Sequence, residues 1–428
     1  MESFIIEGKA PLQGVVTPSG NKNAAFPLIS AALLTDQPVT LHNLPDIGDV
    51  RTMLNIVEDL GVEVTRHDAH NVTLRAGALR KNTPDPVRFA KMRGALVLMG
   101  SILAREGEVR LGQPGGDQIG RRRVDTHIMA LQALGARFAY NGNFILNAPC
   151  LRGADILLEE TSVTATENAI LAAVLAEGQT IIRNAASEPH VQDLCLMLNQ
   201  MGACIEGIGS NMLFIHGVKS LSGAEFRLGP DYLEVGSFIA LSAITEGEIL
   251  IKNAASEHLR MTLMIYERLG ITPEIRGNDL FLPDHQLMVI MPDIGNAIPT
   301  IDDAPWPAFP ADMMSVTIVA ATQATGTVLF HEKMYESRLF FVDRLINMGA
   351  RIVLCDPHRA LIQGPSMLRG EQQGISSPDI RAGIALLLAA LCADGQTIIH
   401  NIGQIDRGYE NIEGKLLELG AKIKRIKG

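Results

Sequence analysis

The sequence predicts an α/β protein built from six repeats, which we group as two compact domains of three repeats each. Two recurring phrases predict this fold: one pairs a glycine with a strand, and the other ends a strand in asparagine. Composition agrees, because 47% hydrophobic and 20% charged residues are typical of a folded chain with a large core. A length of 428 residues is enough for two or three domains.

In the first phrase, an apolar residue and a glycine precede an alternating, strand-like stretch. The glycines are separated by 74, 67, 68, 79 and 71 residues, so six units of about 71 residues account for the chain. Each phrase follows an amphipathic stretch, so the glycine stands where a helix C-cap needs a positive φ. The six positions are Gly61, Gly135, Gly202, Gly270, Gly349 and Gly420.

The second phrase marks the middle of most units, where a β-like run follows an Ala-rich helical run. Each unit therefore reads strand, helix, strand, helix, strands. A solenoid is the alternative, but the unit spacing varies by 12 residues and neither terminal unit looks like a cap. We place the domain boundary near 228–231. The strand-ending asparagines are Asn43, Asn184, Asn253 and Asn401.

The charge balance excludes several classes of protein. With 37 Lys and Arg against 47 Asp and Glu, the net charge is −10, whereas a nucleic-acid binder needs a basic surface. The longest apolar runs, such as 24–34 and 384–392, are shorter than the ~18 residues of a membrane span. The five cysteines show no metal or disulfide spacing. We therefore expect a cytoplasmic protein with neither a nucleic-acid nor a membrane partner.

Residues 17–28 read as the start of a helix with a positive charge. Ser19 or Asn21 is suited to cap an Ala-rich helix. The free amides at that helix start favour an anion, and Lys22 adds a full charge there. The alternative is an ordinary capped helix with a solvated lysine.

Residues 112–127 combine a Pro-Gly-Gly turn with three consecutive arginines, 121–123. The turn predicts a mobile loop that closes over a ligand, and Asp117 at its tip is a candidate proton donor. The arginines suit a phosphate or carboxylate clamp. The alternative is an exposed polar turn.

Three further segments carry candidate charges. Three prolines in 305–310 predict a rigid extended segment that leads into a helix. Asp312 then lies near the helix start, either as a simple first-turn acid or as a general base. Asp–Arg pairs occur in 377–382 and 402–410, and a surface ion pair is the simplest interpretation of each.

Together these segments resemble the enolpyruvyl transferases over essentially the whole chain. The informative motifs are 20–25, the Pro-Gly-Gly loop, 162–166, 307–312 and 406–410. The resemblance implies two inside-out α/β barrel domains, each made of three βαβαββ repeats. It implies domain bounds of 22–229 and of 1–21 plus 230–428, a lid at about 112–123, and an active site in the cleft between the domains.

The implied reaction transfers enolpyruvyl from phosphoenolpyruvate to the 3-OH of UDP-N-acetylglucosamine by addition–elimination, releasing phosphate for peptidoglycan synthesis. The resemblance implies no metal and no other cofactor, and a monomer or weak oligomer. It assigns catalytic roles to Asp117, Asp312, Lys22 and Arg407, with Asp312 as the favoured base. The implied substrate-binding residues are Lys22, Asn23, Asp49, Arg93, Arg122, Arg123, Val124, Asp125, Thr126, Ser162, Val163, Thr164, Asp312, Met334, Arg338, Asp379, Arg381 and Arg407.

This chain departs from the family pattern at several positions. Most members carry Cys at the lid tip, where this chain has Asp117, so we expect insensitivity to the epoxide antibiotic fosfomycin, which alkylates that thiolate. The other departures concern the nucleotide contacts or their surroundings and keep two alternatives open. One is transfer to a different nucleotide acceptor, and the other is a catalytically silent paralogue that binds a UDP-sugar. These departures are Arg123, Glu160, Trp306 and Ser337.

Overall fold

The computed structural model describes residues 2–117 and 119–427. It divides into two compact units. The described part of unit 1 comprises residues 2–19, 119–121 and 230–427, and unit 2 comprises residues 20–117 and 122–229. Within the described residues, no helix is long and apolar enough to cross a bilayer.

Short strands run through both units. In chain order they are β1 (Glu2–Glu7), β2 (Gln13–Val16), β3 (Val39–His42), β4 (Glu63–Arg66), β5 (Val72–Arg75), β6 (Glu108–Leu111), β7 (Arg137–Tyr140), β8 (Phe144–Asn147), β9 (Asp155–Leu157), β10 (Gln179–Arg183), β11 (Cys204–Glu206), β12 (Met212–His216), β13 (Ala224–Arg227), β14 (Glu248–Ile251), β15 (Glu274–Arg276), β16 (Asp279–Leu282), β17 (Thr300–Asp302), β18 (Gly326–His331), β19 (Arg351–Asp356), β20 (Arg359–Gly364), β21 (Ile375–Ser376), β22 (Gln396–His400) and β23 (Lys422–Lys427).

Each unit holds three of the sheets formed by the described strands. Unit 2 has the orders β13-β3-β5-β4, β11-β12-β10-β9 and β6-β8-β7, and unit 1 has β15-β16-β14-β2, β17-β18-β20-β19 and β21-β22-β1-β23. In every four-stranded sheet one edge pair is parallel and the other pairs are antiparallel. The sixfold repeat predicted from the glycine spacing is therefore confirmed, and the solenoid alternative is wrong.

The most buried helices lie at the centre of each unit. Helices α1 (Lys22–Ala31), α4 (Leu98–Glu106) and α6 (Val163–Ala173) pack together in unit 2, and α8 (Tyr232–Ile244), α10 (Ala311–Gln323) and α12 (Ile380–Cys392) pack together in unit 1. Helix α8 is buried along its whole length, so the sheets lie outside the helices as an inside-out barrel requires. The helices are α1 (Lys22–Ala31), α2 (Gly48–Leu60), α3 (Pro86–Phe89), α4 (Leu98–Glu106), α5 (Asp125–Ala133), α6 (Val163–Ala173), α7 (Pro189–Gln200), α8 (Tyr232–Ile244), α9 (Arg260–Arg268), α10 (Ala311–Gln323), α11 (Val342–Asn347), α12 (Ile380–Cys392), α13 (Gly403–Asp406) and α14 (Ile412–Glu418). Short 3₁₀ helices cover Ala32–Leu34, Arg93–Val97, Ser256–His258 and Arg338–Phe341.

The repeated glycines and asparagines share backbone conformations. The six glycines have φ between +80° and +108°, the left-handed region that ends a helix cheaply only for glycine. The four asparagines also have positive φ, between +48° and +59°. At Asn43, Asn184 and Asn401 the side-chain amide donates to the carbonyl just after the parallel neighbour strand, at 3.0, 3.0 and 2.9 Å. Each of these asparagines therefore fixes the end of a parallel strand pair.

The proline-rich segment before α10 differs from the prediction. Residues 305–308 form a turn in which the Ala308 N–H donates to the Pro305 carbonyl at 3.1 Å, and the Trp306–Pro307 peptide is cis. The predicted extended segment is therefore wrong. The Trp306 ring packs against Tyr232, with ring centroids 5.8 Å apart. Helix α10 nevertheless begins directly after this turn, with Asp312 in its first turn.

Candidate active site

Candidate residues gather at the first turns of the central helices in both units. Lys22 opens α1 and Val163 opens α6 in unit 2, while Asp312 and Arg381 lie in the first turns of α10 and α12 in unit 1. The unpaired N–H groups and the helix dipole favour anions at such ends. We describe one cluster in each unit.

Lys22 is buried beside an acid. The Asn21 side chain caps α1 by accepting the N–H groups of Asn23 and Ala24 at 2.8 and 3.2 Å. The Lys22 ammonium lies 2.9 Å from the Asp49 carboxylate in the first turn of α2, and both side chains are less than 10% exposed. The solvated-lysine alternative is therefore wrong. Ser19, the other candidate cap, instead accepts a hydrogen bond from Lys415 at 2.7 Å.

The arginine-rich segment is held by Arg93, whose guanidinium donates to the carbonyls of Arg122 and Arg123, both at 2.8 Å. The preceding glycine turn packs on the same region. A Cβ at Gly115 would lie 1.8 Å from the Ala90 carbonyl oxygen, so only glycine fits there. Asp117 follows this turn and is half-buried.

The two stretches expected to contact the nucleotide lie side by side in unit 2. The Arg123 guanidinium contacts Glu159 at 2.7 Å and Asp125 at 3.2 Å. The Thr126 hydroxyl donates to Glu160 at 3.0 Å. Two of the departures from the family pattern, Arg123 and Glu160, thus take part in the contacts that join these stretches.

Ser162 caps α6 by accepting the Ala165 N–H at 3.4 Å. The neighbouring hydrophobic residues Val124 and Val163 pack against the core of unit 2. Asn23, the second residue of α1, is half-buried. The segment 122–126 and the start of α6 are therefore backed by core packing rather than by solvent.

A buried histidine lies behind this surface. His127 Nδ1 contacts the Asn168 amide at 2.9 Å, and Nε2 contacts the Thr164 hydroxyl at 3.1 Å. Asn168 also donates to the Leu96 carbonyl at 2.9 Å, which ties α6 to the residues that lead into α4. Burial, with a smaller contribution from Arg93, lowers the pKa of His127 to about 3. The imidazole is therefore neutral in the folded protein.

We expect His127 to make unit 2 acid-sensitive. An unfolded histidine titrates near pH 6.5. The proton that only the unfolded chain binds therefore lowers the free energy of unfolding by about 1.4 kcal/mol at pH 5.5 and by almost nothing at pH 7.5. Stability is thus lost as pH falls below 6.5. Urea unfolding of the wild type and of His127→Gln at both pH values measures this difference. An equal loss of stability on acidification in both proteins would contradict it, and exposed His285→Gln is the control.

The unit 1 cluster centres on Asp312. Its Oδ1 accepts from Arg338 Nη2 and its Oδ2 from Arg381 Nη2, both at 2.9 Å. The arginine side chains are 3% and 8% exposed, whereas Asp312 is 31% exposed. The carboxylate is therefore fixed from behind and remains accessible in front.

Arg381 does not form the expected surface pair with Asp379. Instead, Asp379 caps α12 by accepting the N–H groups of Arg381 and Ala382 at 2.8 and 2.9 Å. The Arg381 guanidinium also contacts the Tyr409 hydroxyl at 3.4 Å, which in turn lies 3.1 Å from the Ser237 hydroxyl. The surface-pair interpretation of 377–382 is therefore wrong.

Two implied site residues of unit 1, Arg407 and Met334, are held by contacts of their own. Arg407 donates to the Gln404 side chain at 2.7 Å, and the neighbouring Asp406 is held by Arg425 at 2.8 Å. The Met334 side chain is 38% exposed, and its N–H donates to Glu332 at 3.3 Å. These residues lie on loops of the same unit, held by contacts of their own.

Sequence reasoning missed several buried polar residues near these clusters. Asn168 and the acids Asp303 and Glu332 are all fully buried. For the two acids the only sequence signal was an acidic residue directly after a strand. Among the described residues, no group of three His, Cys, Asp or Glu side chains is arranged to hold a metal ion.

Comparisons with known proteins show the family of this chain. Residues 6–416 match the family of EPSP synthase (3-phosphoshikimate 1-carboxyvinyltransferase). A UDP-N-acetylglucosamine 1-carboxyvinyltransferase of Bradyrhizobium diazoefficiens is 53% identical over 423 residues, 99% of this chain and 98% of the relative. One of Treponema denticola is 52% identical over 423 residues and covers 99% of each chain.

Solved structures agree on the fold. The crystal structure of the enolpyruvyl transferase NikO from Streptomyces tendae matches 100% of this chain and 99% of its own, with a TM-score of 0.88 and 23% identity. An EPSP synthase from Acinetobacter baumannii matches all of both chains, with a TM-score of 0.76 and 17% identity. The fold class predicted from the sequence is confirmed, and the chain belongs to the EPSP synthase family of enolpyruvyl transferases.

Proposed function

We propose that this protein transfers the enolpyruvyl group of phosphoenolpyruvate to the 3-OH of UDP-N-acetylglucosamine and releases inorganic phosphate, the first committed step of peptidoglycan synthesis. The structural observation that carries this proposal is the Asp312 carboxylate, accessible in front and held by two buried arginines. Relatives named for this reaction, about half identical over nearly the whole chain, support the choice of acceptor.

The cations of the candidate site compensate the negative charge of the proposed substrates. Phosphoenolpyruvate and the nucleotide diphosphate together carry about −5 near neutral pH, by analogy with other phosphoryl groups. Fixed cations that face such charge stabilise the transition state without reorganising. We assign Lys22, Arg122 and Arg407 to phosphoenolpyruvate, and Arg93 to its phosphate-bearing part. Arg93 also orients the arginine-rich segment through the carbonyls it binds.

The addition step needs two proton transfers. The 3-OH of the sugar loses its proton to Asp312 as the oxygen bonds to C2 of phosphoenolpyruvate. Asp117 protonates the methylene carbon, which gives a tetrahedral phospho-ketal. In the elimination, Asp117, which has given up its proton, takes one back from the new methyl group as the C–O bond to phosphate breaks. The proton held by Asp312 leaves with the phosphate, so the double bond is restored and both acids return to their initial states. Arg338 and Arg381 favour the ionised form of Asp312, so that it begins as an acceptor.

We assign the nucleotide to the surface formed by 123–126 and 162–164, with Asn23 on the sugar. Asp49 holds the Lys22 ammonium in place, and Asp379 fixes the start of α12 beneath Arg381. Met334 lines the acceptor side. We further propose that the enzyme works in the cytoplasm, as a monomer or weak oligomer and without a cofactor.

An acceptor series tests this function. Phosphate release from phosphoenolpyruvate is measured with UDP-N-acetylglucosamine, UDP or UMP, in the presence of EDTA because no metal takes part in the proposed reaction. We expect release only with UDP-N-acetylglucosamine, since UDP and UMP lack the 3-OH of N-acetylglucosamine. Release with another nucleotide alone would favour a different acceptor, and no release with any acceptor would favour a silent paralogue.

A further inference from the structure

Two acids are buried side by side behind the unit 1 cluster. Strands β17 and β18 run parallel with Asp302 opposite His331, so the next residues, Asp303 and Glu332, leave the same edge of the sheet together. Both are completely buried. Buried acids normally need a counter-charge or a proton.

Their hydrogen bonds show what each oxygen does. Glu332 Oε1 accepts the N–H groups of Met334 and Tyr335 at 3.3 and 3.1 Å, and Asp303 Oδ1 accepts the Lys333 N–H at 2.5 Å. Asp303 Oδ2 and Glu332 Oε2 are buried and accept no hydrogen bond from any described residue. Asp303 is also a hydrogen-bonding neighbour that raises the pKa of Glu332. Since two carboxylates have no donor between them, one shared proton satisfies both oxygens.

The pair faces Arg338. Burial alone would lower the pKa of Arg338, but the carboxylates of Asp312 and Glu332 raise it. Arg338 Nε is buried and has no hydrogen-bond partner among the described residues. Burial first, and then Asp303, raise the pKa of Glu332 to about 9, against the opposing effect of Arg338. A pair with one proton therefore presents a single negative charge to Arg338.

Other charged groups surround the pair. Lys333 is engaged by Asp302, the His358 ring contacts the Glu332 carbonyl at 2.8 Å, and the Tyr335 ring lies 5.1 Å from the Arg338 guanidinium. The charge of Asp379 also acts on Arg338, and Arg381 is linked to Arg338 through the Asp312 carboxylate that both bind. Of these cations, Arg338 and Arg381 are the two that bind Asp312 directly.

We propose that Asp303 and Glu332 form a carboxyl pair that shares one proton, serves as the second counter-charge of Arg338, and so positions Asp312 and preserves its basicity. A guanidinium that served Asp312 alone would stabilise the carboxylate more strongly and make it a weaker base. Sharing Arg338 with a second anion reduces that stabilisation while the arginine keeps its orientation. The pair touches no substrate, so its members are positioning residues. This inference rests on the proposed function of Asp312.

Amide variants separate the charge of the pair from its hydrogen bond. Glu332→Gln and Asp303→Asn each retain one carboxylate, and the new amide donates to it, so the charge of −1 and the contact persist. The double variant removes the charge. We expect kcat of the single variants to stay within about threefold of wild type. We expect the double variant to lose roughly tenfold or more in kcat, with little change in KM for the nucleotide sugar.

The pH profile gives the decisive readout. In the double variant, the acid limb of kcat should move to lower pH by roughly half a unit or more, because Arg338 then acts on Asp312 alone. Asp302→Asn, which changes an exposed neighbour on β17, should leave the limb unmoved. A double variant with the wild-type profile, or one that loses only thermal stability, would overturn the positioning role.

A second measurement does not depend on activity. The infrared difference spectrum of wild type minus each single amide variant at neutral pH should show one protonated carboxyl band. Taking the difference removes the contribution of other buried acids such as Glu167, whose pKa is also raised by burial. Absence of the band from the difference spectrum would overturn the shared proton. A wild type with the band but without phosphate release would count against the proposed function and leave the pair itself supported.

Discussion

Asp312→Asn should lower kcat by roughly 10²–10⁴, the usual contribution of a positioned general base. The amide keeps the shape and one acceptor oxygen, but it cannot take the sugar proton. Nucleotide binding should change little, because the stretches assigned to the nucleotide lie in unit 2. Steady-state phosphate release gives kcat, and calorimetric titration with UDP-N-acetylglucosamine gives the affinity.

Two controls make the Asp312 result interpretable. Asp284→Asn changes an exposed acid far along the chain and should be neutral in turnover. Asp312→Ala should be at least as slow as Asp312→Asn, and also less stable, because two buried guanidinium groups lose their acceptor. Turnover of Asp312→Asn within threefold of wild type would remove this residue from the mechanism.

Asp117→Cys should convert an enzyme that resists fosfomycin into one that is inactivated irreversibly. A thiolate opens the epoxide and remains alkylated, whereas a carboxylate at this position is a poor nucleophile for it. Wild-type activity should therefore persist after incubation, while the activity of the cysteine variant should decay with time. Residual phosphate release and the intact mass of the protein measure the two outcomes.

The native cysteines provide an internal control for that experiment. Cys150, Cys204 and Cys355 are exposed, so the wild type already tests whether any surface thiol reacts. Asp117→Ser is the matched variant with a weaker nucleophile, and it should remain resistant. Rapid inactivation of the wild type, or a resistant Asp117→Cys enzyme that still turns over, would contradict the assignment of Asp117 to the lid chemistry.

Much of the fold could be predicted because its signals are local. A glycine such as Gly61 ends a helix in a backbone conformation that other residues avoid, and this requirement recurs in each repeat. The recurrence of asparagine at strand ends was also visible in the sequence, but the contact that explains it was not. Only the structure shows that the Asn43 amide donates to the carbonyl of Leu228, which lies 185 residues later in the chain.

The candidate site was less accessible to sequence reasoning, because its contacts are between distant residues. Capping residues and prolines in the sequence predicted that Lys22 and Asp312 lie near helix starts. No local pattern, however, pairs Lys22 with Asp49 or Asp312 with Arg338 and Arg381. The roles of these residues came from the family resemblance. The buried acids Asp303 and Glu332 were missed because a strand-ending acid is usually solvated, and only tertiary packing buries it.

The position of β1 has a consequence for biosynthesis. This first strand lies between β22 and β23, so that Ser3 is paired with His400 and Ile426. On the ribosome, β1 is made long before its two neighbours, β22 and β23. Its backbone groups therefore wait unpaired until those two strands have been made, and such edges invite wrong partners. Unit 2, whose strands pair only among themselves, already has all of its sheet partners when residue 229 has been made.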